Sequence, residues 1–225
     1  SFGTMCEEPE TGEFTCGDAM NYHGYDYATV QIGEQCWFAE NLRNEHYANG
    51  DAIPGELSNS EWENADDTNL GAQAIYNNDA SNLADYGRLY NWYAVDDARG
   101  LCPSDWHVPT DGEFMTLEME LGMSESEANS DGWRGTDQGM QMKSSPGDNP
   151  PWNGTNTSGF SGLAGGFRIH DGVPNALGGN GYFWSASSNG IGAWFRILSV
   201  EYFGVQRSEY NQGDGMSIRC LKDSE

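Results

Sequence analysis

This chain has no apolar run near the ~18 residues of a membrane-spanning helix. Its first ten residues, SFGTMCEEPE, hold neither a basic nor an apolar leader region. Direct membrane insertion is therefore not expected, and any export signal is expected to lie outside this sequence. Basic charge is also scarce: 10 Lys and Arg stand against 35 Asp and Glu, a net charge of −25. Nucleic acid is not expected as a partner, because phosphates need a basic footprint. An anionic membrane surface fails on the same ground. Most of the carboxylates read as a solvated surface on which counterions screen self-repulsion. Some are candidates for a hard cation such as calcium, which takes carboxylate and amide oxygens.

Catalytic signatures are missing too. Gly159-Phe160-Ser161-Gly162-Leu163 departs from GxSxG at its last place. There is no HExxH, and His23, His46, His107 and His170 lack metal-like spacing. His107, within Trp106-His107-Val108-Pro109, reads as a structural histidine satisfied by its neighbours. Gly178-Gly179-Asn180-Gly181 runs into the strand residues Phe183 and Trp184, which makes it a turn and not a dinucleotide loop. Carboxylates are too numerous for any pair to stand out as acid and base, and no stretch fits the EF-hand loop. No catalytic residue is assigned, and the chain reads as a binding protein, not an enzyme. Cys6, Cys16, Cys36, Cys102 and Cys220 contain no CxxC pair, which argues against zinc. Scattered cysteines in an acidic, Gly-rich chain point to an oxidising compartment. Their spacing fixes no pairing, and the odd number leaves one over.

What the chain does have is rings and glycine: 12% aromatic residues and 30 Gly, which imply an aromatic core, many turns and few long helices. Residues 1–20 read as an irregular N-terminal segment and 21–225 as one domain. Tyr25 to Ile32 alternates as a strand. Cys36 to Leu42 is a short helix candidate, and Gly87 to Val95 is an aromatic segment with helical character. Residues 44–85 are polar and read as a long looped excursion, a kind of segment that usually belongs to function. The best helix is Thr110–Leu121. Thr110 and Glu113 form a capping box, Phe114, Leu117 and Leu121 share a face, and Gly122 ends it. Ser124 and Glu127 repeat the start signal. Residues 130–180 are Gly/Asn/Ser-rich, with Trp133, Trp152, Phe160 and Phe167 as isolated anchors. Strands are expected near 181–186, 193–199, 203–209 and 215–221.

The last forty residues carry the binding hypothesis. Alternation sends Phe195 and Ile197 to the core, with Met216, Ile218 and Cys220, and sends Trp194, Arg196 and Leu198 to an open face. Ser217 and Arg219 then join Arg196 and Arg207 there. Such a local cation would receive a carboxylate or acidic sugar; the competing role is pairing with neighbouring acids to hold the sheet. Loops 187–192, 200–204 and 208–215 carry this hypothesis, and Trp194, Tyr202, Phe203 and Tyr210 are candidate aromatic anchors, with Tyr202 and Tyr210 expected to be exposed. Glu201, Glu209, Asn211 and Asp214 would form a polar rim. Weak metal candidates are Asp66-Asp67 and Asn77-Asn78-Asp79.

Six ordered phrases then identify a resemblance. They are Tyr27–Leu42 (YATVQIGEQCWFAENL), Gly87–Val95 (GRLYNWYAV), Leu101–Thr110 (LCPSDWHVPT), Ser158–Leu163 (SGFSGL), Phe183–Ser187 (FWSAS) and Ser217–Asp223 (SIRCLKD). Together they resemble the Fibrobacter succinogenes major paralogous domain family over about residues 22–223. The resemblance implies an α+β, C-type-lectin-like fold, with twisted antiparallel sheets, two short helices and long irregular loops. It also implies a bacterial domain that is secreted or displayed at the cell surface. Similar lectin-like domains form adhesin tips, and others are retroelement-diversified variable binding proteins. The same broad fold includes formylglycine-generating oxidases. In lectin-like domains the chain ends meet in one sheet and a bridge ties the first long helix region to the last strand. Cys102 with Cys220, and Cys16 with Cys36, are therefore the implied bridges, with Cys6 left over; Cys6 with Cys16 is the competing assignment. The expected function is reversible binding of a protein, peptide or glycan on another surface. The alternatives are a diversified binding protein, an oxidase with a reactive cysteine pair, or a structural module without a specific ligand.

Overall fold

The computed structural model describes residues 14–190 and 192–224. Cys6 lies outside the described residues. The chain is mixed α+β, with several small antiparallel sheets and few short helices. One four-stranded sheet brings early and late segments of the chain together: Thr29–Ile32 pairs with Gln35–Phe38, which pairs with Leu221–Lys222, which pairs with Trp106–His107. The second is built mainly from the C-terminal strands. Its order is Asn180–Ser188, Ala193–Ser199, Val205–Tyr210, then Gly132–Arg134 at the edge.

Consecutive residues in these strands feed two different cores. Phe38, Trp184 and Ile197 belong to one buried cluster, while Trp37, Phe183 and Leu198 belong to the other. Side chains alternate across a strand, so adjacent large apolar residues can both be buried only if both faces are covered. Rings fill these layers, as the composition implied: Trp37, Phe114 and Phe160 pack at centroid distances of 5.2 and 5.8 Å around Trp37. Fully burying one such side chain contributes roughly 1.5–3 kcal/mol.

Two disulfides are present, Cys16–Cys36 and Cys102–Cys220. The first, together with the Phe14 ring against Trp106 at 5.5 Å, ties residues 14–20 to the domain. The capped helix is Asp111–Glu120, with Thr110 and Glu113 bonded reciprocally, and Ser124 caps the short helix Glu125–Ala128 in the same way.

Several local expectations are corrected. Cys36 to Leu42 is not a helix: Gln35–Phe38 is a strand between Thr29–Ile32 and Leu221–Lys222. Its Cys, Trp and Phe fit a pleated surface, and pairing on both edges outweighs any helical tendency. Gly87 to Val95 splits into a strand, Leu89–Tyr90, and one helical turn, Trp92–Val95, capped by Asn91. The polar excursion 44–85 is not all loop. It carries the helix Asn59–Asp67, started by a Ser58–Glu61 capping box, and this helix buries Trp62 and Ala65. The same box that identified Thr110–Glu113 was legible here. Of the expected strand 215–221 only Leu221 joins a ladder, in the strand Leu221–Lys222; Gly215, Met216 and Ser217 make isolated bridges to three different segments.

Candidate functional site

The C-terminal sheet has two faces of different chemistry. Trp194, Arg196, Leu198, Val205 and Arg207 share one face, and the helix Asp111–Glu120 packs on it. Asp111, Phe114 and Glu118 recur at helical spacing and point into the same contact. Arg196 donates to Glu118 Oε1 at 2.7 Å and to Asp111 Oδ1 at 2.7 Å. Arg207 donates to Asp111 Oδ2 at 2.7 Å and to Asp131 Oδ1 at 2.5 Å. Arg134, from the edge strand, completes the set on Glu118 Oε2. Burial alone would raise the Asp111 pKa, but hydrogen bonds from Arg207 and the Arg196 charge hold it below the usual value. Burial pushes Arg134 down to about 10 against the attraction of Glu118.

This overturns the open face expected for Trp194, Arg196 and Leu198. The alternation is right, but Arg196 and Leu198 are wholly buried. Trp194 is half-buried, with the Arg207 guanidinium 3.8 Å from its ring centre. Arg196 and Arg207 take the competing role of holding the sheet by pairing with acids. Arg219 does not join them. It is buried and donates to Asn41 and to the carbonyls of Phe38, Phe160 and Ser161. Burial without a carboxylate partner lowers it to about 9.

The remaining candidates fall at opposite ends of the hairpin formed by Ala193–Ser199 and Val205–Tyr210. The six-residue strand Val205–Tyr210 separates these ends by roughly 20 Å. At one end, the connecting loop exposes Phe203 at 62%, Tyr202 at 45% and Val200 at 39% of their surface. Tyr202 stacks on Trp133 at 4.0 Å, and Glu201 is exposed beside it. The loop is pinned from beneath. Lys143, itself buried, donates to the Ser199 and Tyr202 carbonyls at 2.6 and 3.1 Å, and Met140 N–H donates to the Phe203 carbonyl at 3.0 Å. Desolvation draws the Lys143 ammonium down to about 8. A Cβ on Gly139 would lie 2.1 Å from the Gly204 carbonyl oxygen, so only glycine lets the helix Gln138–Met142 approach so closely.

At the other end Tyr210 is 56% exposed. Glu209 accepts from Asn189 there, and Asn211 accepts from Gly213 N–H. Asp214 is not on a rim. It is fully buried, and it lines a cavity of about 210 Å³. Tyr182, Phe195 and Tyr210 from the sheet form one side of that cavity; Phe167, Ile169 and Met216 from crossing segments form the other. Asp214 Oδ1 accepts from the His170 backbone N–H at 2.8 Å and lies 3.2 Å from the His170 ring Nδ1. Oδ2 has no partner. Burial lifts the Asp214 pKa to about 6, a rise that His170 partly offsets.

The sequence marks Phe167 as an isolated anchor and gives no local signal for Lys143. A signal for Asp214 was available in its flanking glycines. A Cβ on Gly213 would meet Asp66 at 2.2 Å, and one on Gly215 would meet Trp62 at 2.8 Å, so this segment must be threaded tightly.

The metal candidates do not form a set. Asp66 accepts from the Tyr93 hydroxyl at 2.9 Å, Asp79 caps Ser81, and Asn78 donates to the Leu57 carbonyl. Asp67 sits at the end of its helix. Among the described residues no group of three or more His, Cys, Asp or Glu is placed to hold a metal ion. His107 has the structural role expected of it, lying between Asp223 on Nδ1 and Glu113 on Nε2.

No curated protein and no solved structure matches this chain. One family model does, over residues 30–222, and its span covers the aromatic hairpin, the buried ion network and the Asp214 cavity alike. The chain belongs to the Fibrobacter succinogenes major domain family.

Proposed function

We propose that this is a recognition domain with a C-type-lectin-like fold, displayed outside the cell, which binds a protein, peptide or glycan by reversible surface contact without catalysis. One observation carries the reading. Of seven exposed large hydrophobic side chains among the described residues, Val200, Tyr202 and Phe203 fall together on the hairpin's connecting loop, and a fourth, Tyr210, lies at its opposite end. The core closes without them, and the loop bearing Tyr202 and Phe203 is hydrogen-bonded through its carbonyls to Lys143 and Met140. Rings held in place on a charged surface suit contact with a partner, because little entropy is lost on binding. Two disulfides agree with an oxidising location. The formylglycine-generating reading is weaker, because it needs a reactive cysteine pair and four of the five cysteines are joined in bridges.

The test is a glycan and peptide array, run first with calcium and then with EDTA, on the parent domain and on Phe203→Ala and Tyr202→Ala. Binding that both variants lose at unchanged melting temperature supports the reading. Loss in EDTA would make calcium part of it. No binding in either condition would sink it in favour of a structural module.

A further inference from the structure

The Asp214 cavity combines three features that ordinary packing does not require. A carboxylate with no solvent exposure keeps one oxygen without a hydrogen-bond partner. Buried polar atoms are normally satisfied, since an unmade bond there costs more than a made one gains. The walls around it are rings and aliphatic groups, with Phe167 and Tyr182 at 4.4 Å and Tyr182 and Phe195 at 6.3 Å between centroids. The cavity volume, about 210 Å³, falls below the ~300–1,000 Å³ of sites that enclose drug-sized ligands. It suits one side chain or one small head group, not an oligosaccharide.

Resting on the reading of the domain as a reversible binder, we propose that this cavity receives a primary alkylammonium group on an apolar stem, as at the end of a lysine side chain. The orphan Oδ2 calls for an N–H donor, and a charged donor gives the stronger bond. Ring faces attract cations, and the same rings cover methylenes. A quaternary ammonium would satisfy the rings but leave Oδ2 unpaired. A neutral apolar chain would leave the carboxylate uncompensated. The protein's net charge of −25 favours the approach of a cation from any side. The charged groups around Asp214 are His170, on Oδ1, and Asp66, whose charge adds to the cost of ionising it. An incoming ammonium would draw the raised carboxyl pKa back down, so affinity should rise with pH through about 6.

The experiment is calorimetric titration of the domain with Nα-acetyl-lysine N-methylamide, and with its norleucine, trimethyl-lysine and arginine counterparts. The lysine compound should bind at least about tenfold tighter than the norleucine and trimethyl compounds. Asp214→Asn should abolish that preference. It should not lower the melting temperature, because an ionised carboxylate held above its unfolded pKa costs stability at neutral pH. Tyr210→Ala, which removes a largely exposed wall, should weaken lysine binding about threefold or more without affecting folding. Equal affinity for lysine and norleucine, tighter binding of arginine or trimethyl-lysine, or full lysine binding by Asp214→Asn would overturn the proposal. Array binding that depends on Phe203 while the lysine compound fails would remove this inference alone. Lysine binding with a blank array would instead remove the exposed hairpin loop as a binding surface.

Discussion

Replacing Glu118 by Gln tests whether buried charge pairing holds the C-terminal sheet to its helix. Glu118 has no solvent exposure and takes Arg196 on one oxygen and Arg134 on the other. The network balances three guanidinium groups, Arg134, Arg196 and Arg207, against Asp111, Glu118 and Asp131. Asp131 is 72% exposed, so the buried part of this network holds three cations and only two anions, and losing Glu118 leaves one anion. Gln has the same shape, so no cavity term enters. Breaking a buried pair on one side costs about 3–5 kcal/mol, because the remaining charge stays desolvated. Gln retains one acceptor, which places the expectation near ~3 kcal/mol. For a domain of this size that is a fall of roughly 6–12 °C in melting temperature. Urea unfolding should show a lower midpoint at unchanged slope, as expected when stability changes without a change in exposed surface. The double variant Glu118→Met with Arg134→Met should cost clearly less than the sum of its single variants, since it removes both charges of one pair. A Glu118→Gln cost below about 1 kcal/mol, or strict additivity in the double variant, would refute the argument.

Four further outcomes are expected. Glu113 and Asp223 raise the His107 pKa to about 9, so the His107 contribution should be complete below pH ~6.5 and vanish as pH rises through 9, a profile that His107→Gln should lack in pH-dependent melting. The contribution of Glu113 has the opposite sense: burial would raise its pKa, but His107 holds it at about 2, so it is present above pH ~4.5 and lost toward pH 2. Because Cys102–Cys220 closes 118 residues and Cys16–Cys36 closes 20, loop entropy assigns them about 4.9 and 3.3 kcal/mol. Replacing Cys102 and Cys220 by Ala should therefore lower the urea midpoint more than replacing Cys16 and Cys36, and the reverse order would contradict it. Gly139→Ala should push the 203–204 carbonyls away from the helix Gln138–Met142, lowering stability by about 1–3 kcal/mol and reducing any binding that depends on Phe203, as read by denaturation and array signal together.

Local signals were legible wherever chemistry acts over a few residues. The capping boxes at Thr110 and Ser124 marked two helices within a residue of their observed starts. The alternation in Ala193–Leu198 assigned side chains to opposite faces correctly. It could not say what covers each face, because period two carries no information about a partner segment more than 70 residues away in the chain. Glu118 lies 78 residues from Arg196, and the third-versus-fourth spacing that placed Phe114 in the core also placed Asp111 and Glu118 there. Charged residues on a helix usually face solvent, so nothing local marks these two as buried. The burial of Asp214 is hidden in the same way, since a polar residue in a glycine-rich loop carries the local signature of an exposed one.

The sequence by itself determined the aromatic core, the family, the acidic surface, and the turns and caps, because each rests on composition, ordered motifs or short-range backbone chemistry. The tertiary structure alone decided which arginines are structural, which rings remain outside, and that Asp214 closes a cavity. Those outcomes depend on which distant segments desolvate a given side chain, and burial is a property of the packed whole that no local pattern encodes.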